Sequence, residues 1–268
     1  MPQCARAPFI ALVAVLALGG GAQAEEVQAG PWRSIFDGRS LDGWTPKIAG
    51  YPIGENYAQT FIVQDGAIRV SYAGYDKFGG RFGHLFHQTP FKAYRLRLNY
   101  RVLDPALPDT PAWARSNSGV MFASQSPQSM SLGQPFPMSV EFQILGRDGD
   151  APRPTGAVCT PGTSIAFDGV KATEHCIASK TAPTIANGTW TSLELEVLPS
   201  GEVTQKINGE VVHHYAGVEL DPTDRFAAVA KPYFEIHKQA EGYIALQSEG
   251  HPIEFKDIEV QELKARQP

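Results

Sequence analysis

The chain has 268 residues, 26 glycines, 21 prolines and a formal net charge of −5, which suits one glycine- and proline-punctuated domain with a mild acidic excess. No basic stripe marks it for nucleic acid. Beyond the first residues no stretch is apolar and long enough to span a bilayer.

Residues 1–24 read as a secretory signal peptide. Arg6 gives a basic start, residues 9–18 are apolar, and Ala22-Gln23-Ala24 supplies the small-residue cleavage site. The apolar run is too short for a membrane span, and Cys4 precedes it rather than following it, so it leaves with the signal. The mature chain, residues 25–268, is therefore expected as a single domain in the periplasm or outside the cell, free of the membrane. Two cysteines remain, Cys159 and Cys176. An even pair in an oxidising compartment is expected to form one disulfide, worth about 3 kcal/mol for a loop of that size in the chain-entropy model.

Strand patterns follow in close succession. Residues 61–64 and 67–70 flank an Asp65-Gly66 turn, and residues 94–102 alternate over their whole length. Residues 119–123 form a short apolar strand. In Ser139-Val140-Glu141-Phe142-Gln143-Ile144-Leu145-Gly146 the residues Val140, Phe142 and Ile144 fall on one face and Glu141 and Gln143 on the other. Residues 190–197 alternate again. Residues 203–207 and 211–215 meet at Asn208-Gly209, a two-residue hairpin signal. Residues 242–247 and 253–260 close the series. No long stretch holds a helical period, so the fold class is all-β, a sandwich or barrel. Loops at 71–90, 104–117, 124–137 and 146–188 are long enough to build a site.

Several segments together carry a family resemblance: Ser34-Ile35-Phe36-Asp37-Gly38-Arg39-Ser40-Leu41-Asp42-Gly43-Trp44, Phe82-Gly83-His84-Leu85-Phe86, Arg115-Ser116-Asn117-Ser118-Gly119-Val120, the strand around Glu141, and the closing Gly242-Tyr243-Ile244-Ala245-Leu246-Gln247-Ser248-Glu249-Gly250-His251. The chain resembles the 3-keto-disaccharide hydrolase family over about residues 32–263. The resemblance implies a concanavalin-like jelly roll of two antiparallel sheets, one of them concave. It also implies a substrate, a glycoside whose glucose ring carries a ketone at carbon 3. Where many members have Asp-His-Gly after Leu-Gln, this chain has Ser248-Glu249-Gly250.

A ketone at carbon 3 acidifies the proton on carbon 2, so the chemistry needs a base there, a donor for the enolate oxygen and an acid for the leaving oxygen. Glu141 is the first candidate for acid/base work, with His84 and Lys77 as further catalytic candidates and His87 beside His84 as another possible base. Lys77 and Arg81 lie in a glycine-rich loop placed to cover a site. Arg115 and Asn117 stand two apart, able either to grip the ketone oxygen or to clamp a carboxylate such as Glu141. Gln143, Gln247 and Glu249 are candidates for binding sugar hydroxyls, and Trp113 for stacking on a ring; Trp44 and Trp190 read as core. An ordinary two-carboxylate glycosidase is disfavoured because Gln143 stands where a second acid is wanted. A carbohydrate-binding module of the same fold is the alternative to an enzyme. No cofactor or metal is assigned: Asp148-Gly149-Asp150 reads as a turn and His213-His214 as an exposed strand pair whose side chains diverge.

Overall fold

A computed structural model describes residues 27–236 and 242–266; the signal peptide expected at 1–24 lies outside the described residues. In chain order the strands are β1 (Val27–Ser34), β2 (Trp44–Ile48), β3 (Phe61–Gln64), β4 (Ala67–Val70), β5 (Gly83–His87), β6 (Tyr94–Val102), β7 (Asn117–Ser124) and β8 (Val140–Leu145). They continue with β9 (Val158–Cys159), β10 (Thr163–Phe167), β11 (Val170–Lys171), β12 (Cys176–Ile177), β13 (Thr191–Val197), β14 (Val203–Ile207), β15 (Glu210–Leu220), β16 (Tyr243–Ser248) and β17 (Ile253–Ala265). They form two antiparallel sheets, a jelly-roll sandwich. One runs β11-β10-β15-β14-β13-β6-β17-β4-β3, with β1 added along β17; the other, of seven strands, runs β12-β9-β8-β7-β16-β5-β2.

Alternation decides which residues fill the space between the sheets. On β6, Tyr94, Leu96, Leu98, Tyr100 and Val102 point inward, and on β8 so do Val140, Phe142 and Ile144; all belong to one core cluster. Burying each large apolar side chain contributes about 1.5–3 kcal/mol. The outward residues of β6 carry an ion-pair ladder instead, Arg95 with Glu196, Arg97 with Glu259 and Arg101 with Glu254. Trp190 lies on this outer face and not in the core, held between Arg101 and Lys256 at 4.6 and 4.4 Å from its ring. It sits one residue before β13 begins and continues the parity of the outward-facing Ser192, Glu194 and Glu196, which places it outside the core. Trp44 is buried and donates its ring N–H to the Ile35 carbonyl at 2.8 Å.

Cys159 and Cys176 are joined and sit opposite each other on the β9–β12 pair. A short helix, α1 (Ala227–Ile236), interrupts the all-strand expectation. Its start follows an Asp224 turn, with the carboxylate accepting from Phe226 N–H at 2.7 Å; Pro232 inside it had hidden the helical signal. His213 is buried beside Phe167, 6.0 Å between ring centroids, while His214 faces out and pairs with Thr204. The two do diverge, but only one is exposed. No helix among the described residues is long and apolar enough to cross a membrane.

Candidate active site

The seven-stranded sheet turns its second face away from the core, and there the polar residues gather. Lys47 pairs with His84, and His84 with Gln247. Leu246 pairs with Val120, which brings Gln247 level with Gly119, and Gly119 pairs with Gln143. Lys47, His84, Gln247 and Gln143 thus form a row across β2, β5, β16 and β8, with a gap at Gly119 on β7. Glu141, two residues from Gln143, shares its face. Such a face is ordinarily wet, yet Glu141 is only 6% exposed and His84 and Gln247 are fully buried.

The cover is the segment 125–138. Gln125 ties it together: its side-chain oxygen accepts from Met138 N–H and from the Gln134 amide at 2.8 and 2.7 Å. Met130 packs on Phe86, Met121 and Ala245. Leu132 offers its carbonyl to the Lys47 ammonium at 3.0 Å. Phe136 stands 6.0 Å from His84 and 4.8 Å from Phe82, and Phe82 stacks on the exposed Trp113 at 5.7 Å with planes 12° apart. An aromatic wall therefore leads from solvent at Trp113 down to His84.

The gap at Gly119 has a definite use. A β-carbon there would lie 2.4 Å from Glu141 Oε1 and 2.7 Å from its Cγ, so the carboxyl lies directly across the glycine. Gly119→Ala must push Glu141 aside. Because the displaced atoms end a flexible side chain, the variant is expected to fold normally yet lose about a hundredfold in turnover, as a misplacement of order 1 Å costs. Circular dichroism alongside the kinetic assay separates the two effects, and full activity in the variant would remove Glu141 from the chemistry.

Buried polar atoms nearly always find partners, but here many do not. Both ring nitrogens of His84, both amide atoms of Gln247, Asn117 Oδ1, Glu141 Oε1 and Glu249 Oε2 are buried without a hydrogen bond. Glu249 follows β16 and is 3% exposed. Leaving such groups unpaired costs about 1–3 kcal/mol each, a cost that a polyhydroxylated guest can offset.

Burial sets the protonation states. It pushes the Glu141 carboxyl up to about 8, although the Gln247 carboxamide alongside favours the anion without closing a well-formed hydrogen bond. Glu249 is raised well above the usual carboxyl range, first by burial and then by the charge of Glu141. The charge of Glu141 holds the proton on Glu249, so as pH rises through about 8 Glu141 ionises while Glu249 stays protonated. His84 is driven down to about 3 by burial and by the Lys47 ammonium, and burial also lowers Lys47 itself. His84 is thus a neutral imidazole at working pH, suited to donating a hydrogen bond rather than taking a proton.

Glu141, His84, Gln143, Gln247, Glu249 and Asn117 come to one face. Asn117 donates to the Trp113 carbonyl at 3.1 Å, which ties the wall to β7. Arg115 does not join them. Ser116 adopts φ 48, which breaks the strand alternation that had put Arg115 and Asn117 on one side. Arg115 is half exposed, 3.9 Å from Asp148, and lines a separate cleft of about 410 Å³ with Arg147, Asn187 and His251. Lys77 is exposed on the loop above Asp109, whose carboxylate takes the N–H groups of Phe78 and Gly79 at 2.7 and 2.9 Å. Arg81 does not cover the site, because its guanidinium lies over Tyr57 at 4.9 Å. His87, three residues from His84, faces the opposite side and packs between Trp44 and Phe91.

Sequence reading missed Lys47, Arg153, Phe82 and Phe136. The first stands on a strand no clear alternation announces, and the others lie in or beside loops. Asp148 is engaged with Arg115 and Gly149 takes φ 77 as a turn requires. Among the described residues no group of three or more His, Cys, Asp or Glu side chains is placed to hold a metal.

A family model for the 3-keto-alpha-glucoside-1,2-lyase-like domain matches residues 31–261. No protein with a curated description matches the chain. Among solved structures, a provisionally assigned glycosyl hydrolase from Parabacteroides distasonis is similar at 16% identity and TM-score 0.52, over 87% of this chain and 94% of that one. A Bacillus subtilis protein with a galectin-like fold is similar at 12% identity and TM-score 0.51, over 91% and 99%. The exoplasmic domain of VIP36, in its calcium- and Man3GlcNAc-bound form, gives 10% identity and TM-score 0.50, over 86% and 89%. At these identities the three likenesses concern the fold alone. The family match covers most of the chain, and the chain belongs to the 3-keto-alpha-glucoside-1,2-lyase-like family.

Proposed function

We propose that this chain is an exported enzyme that cleaves 3-keto-glycosides, beginning with loss of the proton on carbon 2. The observation that carries the reading is the set of buried, unpartnered polar atoms around Glu141. A carboxyl near 8 is an unusually strong base when ionised, and its environment lowers the energy cost of accepting a proton. Glu141 takes the C2 proton, and the electron pair moves into the C2–C3 bond while the ketone becomes an enolate. The neutral His84 ring, one nitrogen of which carries a proton, donates to that oxygen, assisted by the Gln247 amide. The enolate then re-forms the ketone, a C1–C2 double bond appears, and the leaving oxygen departs. Addition of water at C1, with proton return to C2, completes net hydrolysis. Gln143 and Asn117 hold hydroxyls, and Trp113 with Phe82 offers the ring a stacking surface.

The family membership supports the substrate class. One correction bears on the chemistry: the sequence suggested that Glu141 has no partner acid, whereas the charge of Glu141 acts on the buried carboxyl of Glu249. That restores weight to a two-carboxylate cleavage of unoxidised glycosides. Incubating the protein with 3-keto-trehalose and 3-keto-glucosides beside their unoxidised parents, and following released sugar, separates the readings. Release from the keto forms alone is expected. Equal release from both sinks the keto mechanism, and binding without release makes the chain a carbohydrate-binding module.

A further inference from the structure

We propose that Glu249 is the second proton-transfer group of this site, the acid that protonates the leaving oxygen on C1 while Glu141 works at C2. The inference rests on the reading given under Proposed function and assigns the step left open there.

Its ground is geometric. Glu249 sits on the turn between β16 and β17, where the backbone is held from three sides. Gly250 N–H donates to the Tyr72 hydroxyl at 2.6 Å, and the Gly250 carbonyl accepts from Thr110 Oγ1 at 2.8 Å and from Leu107 N–H at 3.0 Å. Gly250 takes φ 85 with a would-be β-carbon 2.6 Å from Thr110 Oγ1, so nothing but glycine fits and the turn cannot drift. From this fixed point the side chain is buried, 3% exposed, with Oε2 unpartnered, two residues along the chain from Gln247, whose amide atoms are equally unpartnered. A buried acid with a free oxygen among unsatisfied groups is built to meet a ligand, not to brace the fold.

Arg153 stabilises the other half of the cycle. Its guanidinium is pinned by the carbonyls of Arg115, Ser116, Gly146 and Trp113, and its charge acts on Glu249. The groups facing Glu249 are then Glu141 from β8, Arg153 from the loop before β9 and Tyr72 from the loop after β4. With Glu141 ionised and Glu249 still protonated, Glu141 takes the C2 proton to give the enolate, and Glu249 gives its own proton to the C1 oxygen as that oxygen departs. Arg153 steadies the Glu249 anion that results. When water adds to C1, Glu249 recovers a proton from that water and Glu141 returns one to C2. Atoms balance as glycoside plus water giving keto-sugar plus alcohol, and both carboxyls end as they began.

The test varies the leaving group. A methyl 3-keto-glucoside has an aglycone that must be protonated as it departs; a 4-nitrophenyl 3-keto-glucoside does not. Glu249→Gln is expected to lose at least about a hundredfold on the methyl substrate and less than about threefold on the nitrophenyl one. Glu249→Asp, which keeps the acid on a shorter arm, should fall between wild type and Gln on the methyl substrate and match wild type on the other. Equal losses on both substrates, or none on the methyl substrate, overturn the assignment. Should wild type cleave neither keto-glycoside, the reading under Proposed function fails and takes this one with it. Wild-type activity with equal losses fails this one alone.

Discussion

Glu141→Gln is expected to abolish turnover of a 3-keto-glucoside by at least about a hundredfold, the low end for removal of a general base, while binding changes little. Glutamine keeps the size, the position across Gly119 and the contact with Gln247, but it cannot accept the C2 proton. The two carboxyl oxygens become one oxygen and one NH2 group in a site already 6% exposed, so the fold is not asked to accommodate new volume. Calorimetric titration with the keto-glycoside and single-turnover kinetics separate binding from chemistry. With the wild type, deuterium at carbon 2 should slow the reaction or wash out into solvent. An unchanged rate in the Gln variant would remove Glu141 as the base. The low proton affinity of His84 and the distant loop of Lys77 make neither a ready substitute; Glu249 would inherit the role.

The strands that could be read in the sequence are those whose two faces see different surroundings. β6, β8 and β13 meet the core on one side and solvent or cover on the other, so period-two alternation is written into them. The hairpin turns at Asp65-Gly66 and Asn208-Gly209 were equally visible, because positive φ there selects those residues. By contrast β9 and β12 have two residues each, too few for any period to appear. Glu141 with Gln143 was legible as a polar pair on one face, and Gln247 with Glu249 as a second. What alternation could not say was that segment 125–138 would roof that face and convert a wetted strand into a buried site. Nor could it foresee that one residue, Ser116 at φ 48, would turn Arg115 out of the groove while leaving Asn117 in it. Both depend on contacts distant in sequence.

The stability of the folded chain should peak in mildly acidic solution and fall on the alkaline side, and Glu141→Gln should flatten that fall. In the folded protein the Glu141 carboxyl sits at about 8 rather than its ordinary 4.5. Below 4.5 it is protonated whether folded or not, and its contribution is fully present. As pH rises from 4.5 toward 8 the unfolded chain releases this proton and the folded one keeps it, so unfolding gains ground by about 1.4 kcal/mol per pH unit. The contribution is lost by the time pH passes 8, a total on the order of 5 kcal/mol. Glu249, raised for the same reasons, adds to the slope in the same direction. His84 acts oppositely: its folded value of about 3 lies below its ordinary 6.5, so its contribution is present above 6.5 and is lost as pH falls toward 3. Between 4.5 and 6.5 the slopes of Glu141 and His84 oppose each other, and above 6.5 His84 no longer offsets the loss from the carboxyls. Thermal unfolding of wild type and Glu141→Gln at pH 5 and at pH 9 tests this directly. The variant should gain about 5 °C or more on wild type between those two conditions, at roughly 2–4 °C per kcal/mol for a domain of this size. Parallel pH profiles for the two proteins would mean that Glu141 is not buried as an acid, and the base assigned to the reaction would lose the environment that makes it strong.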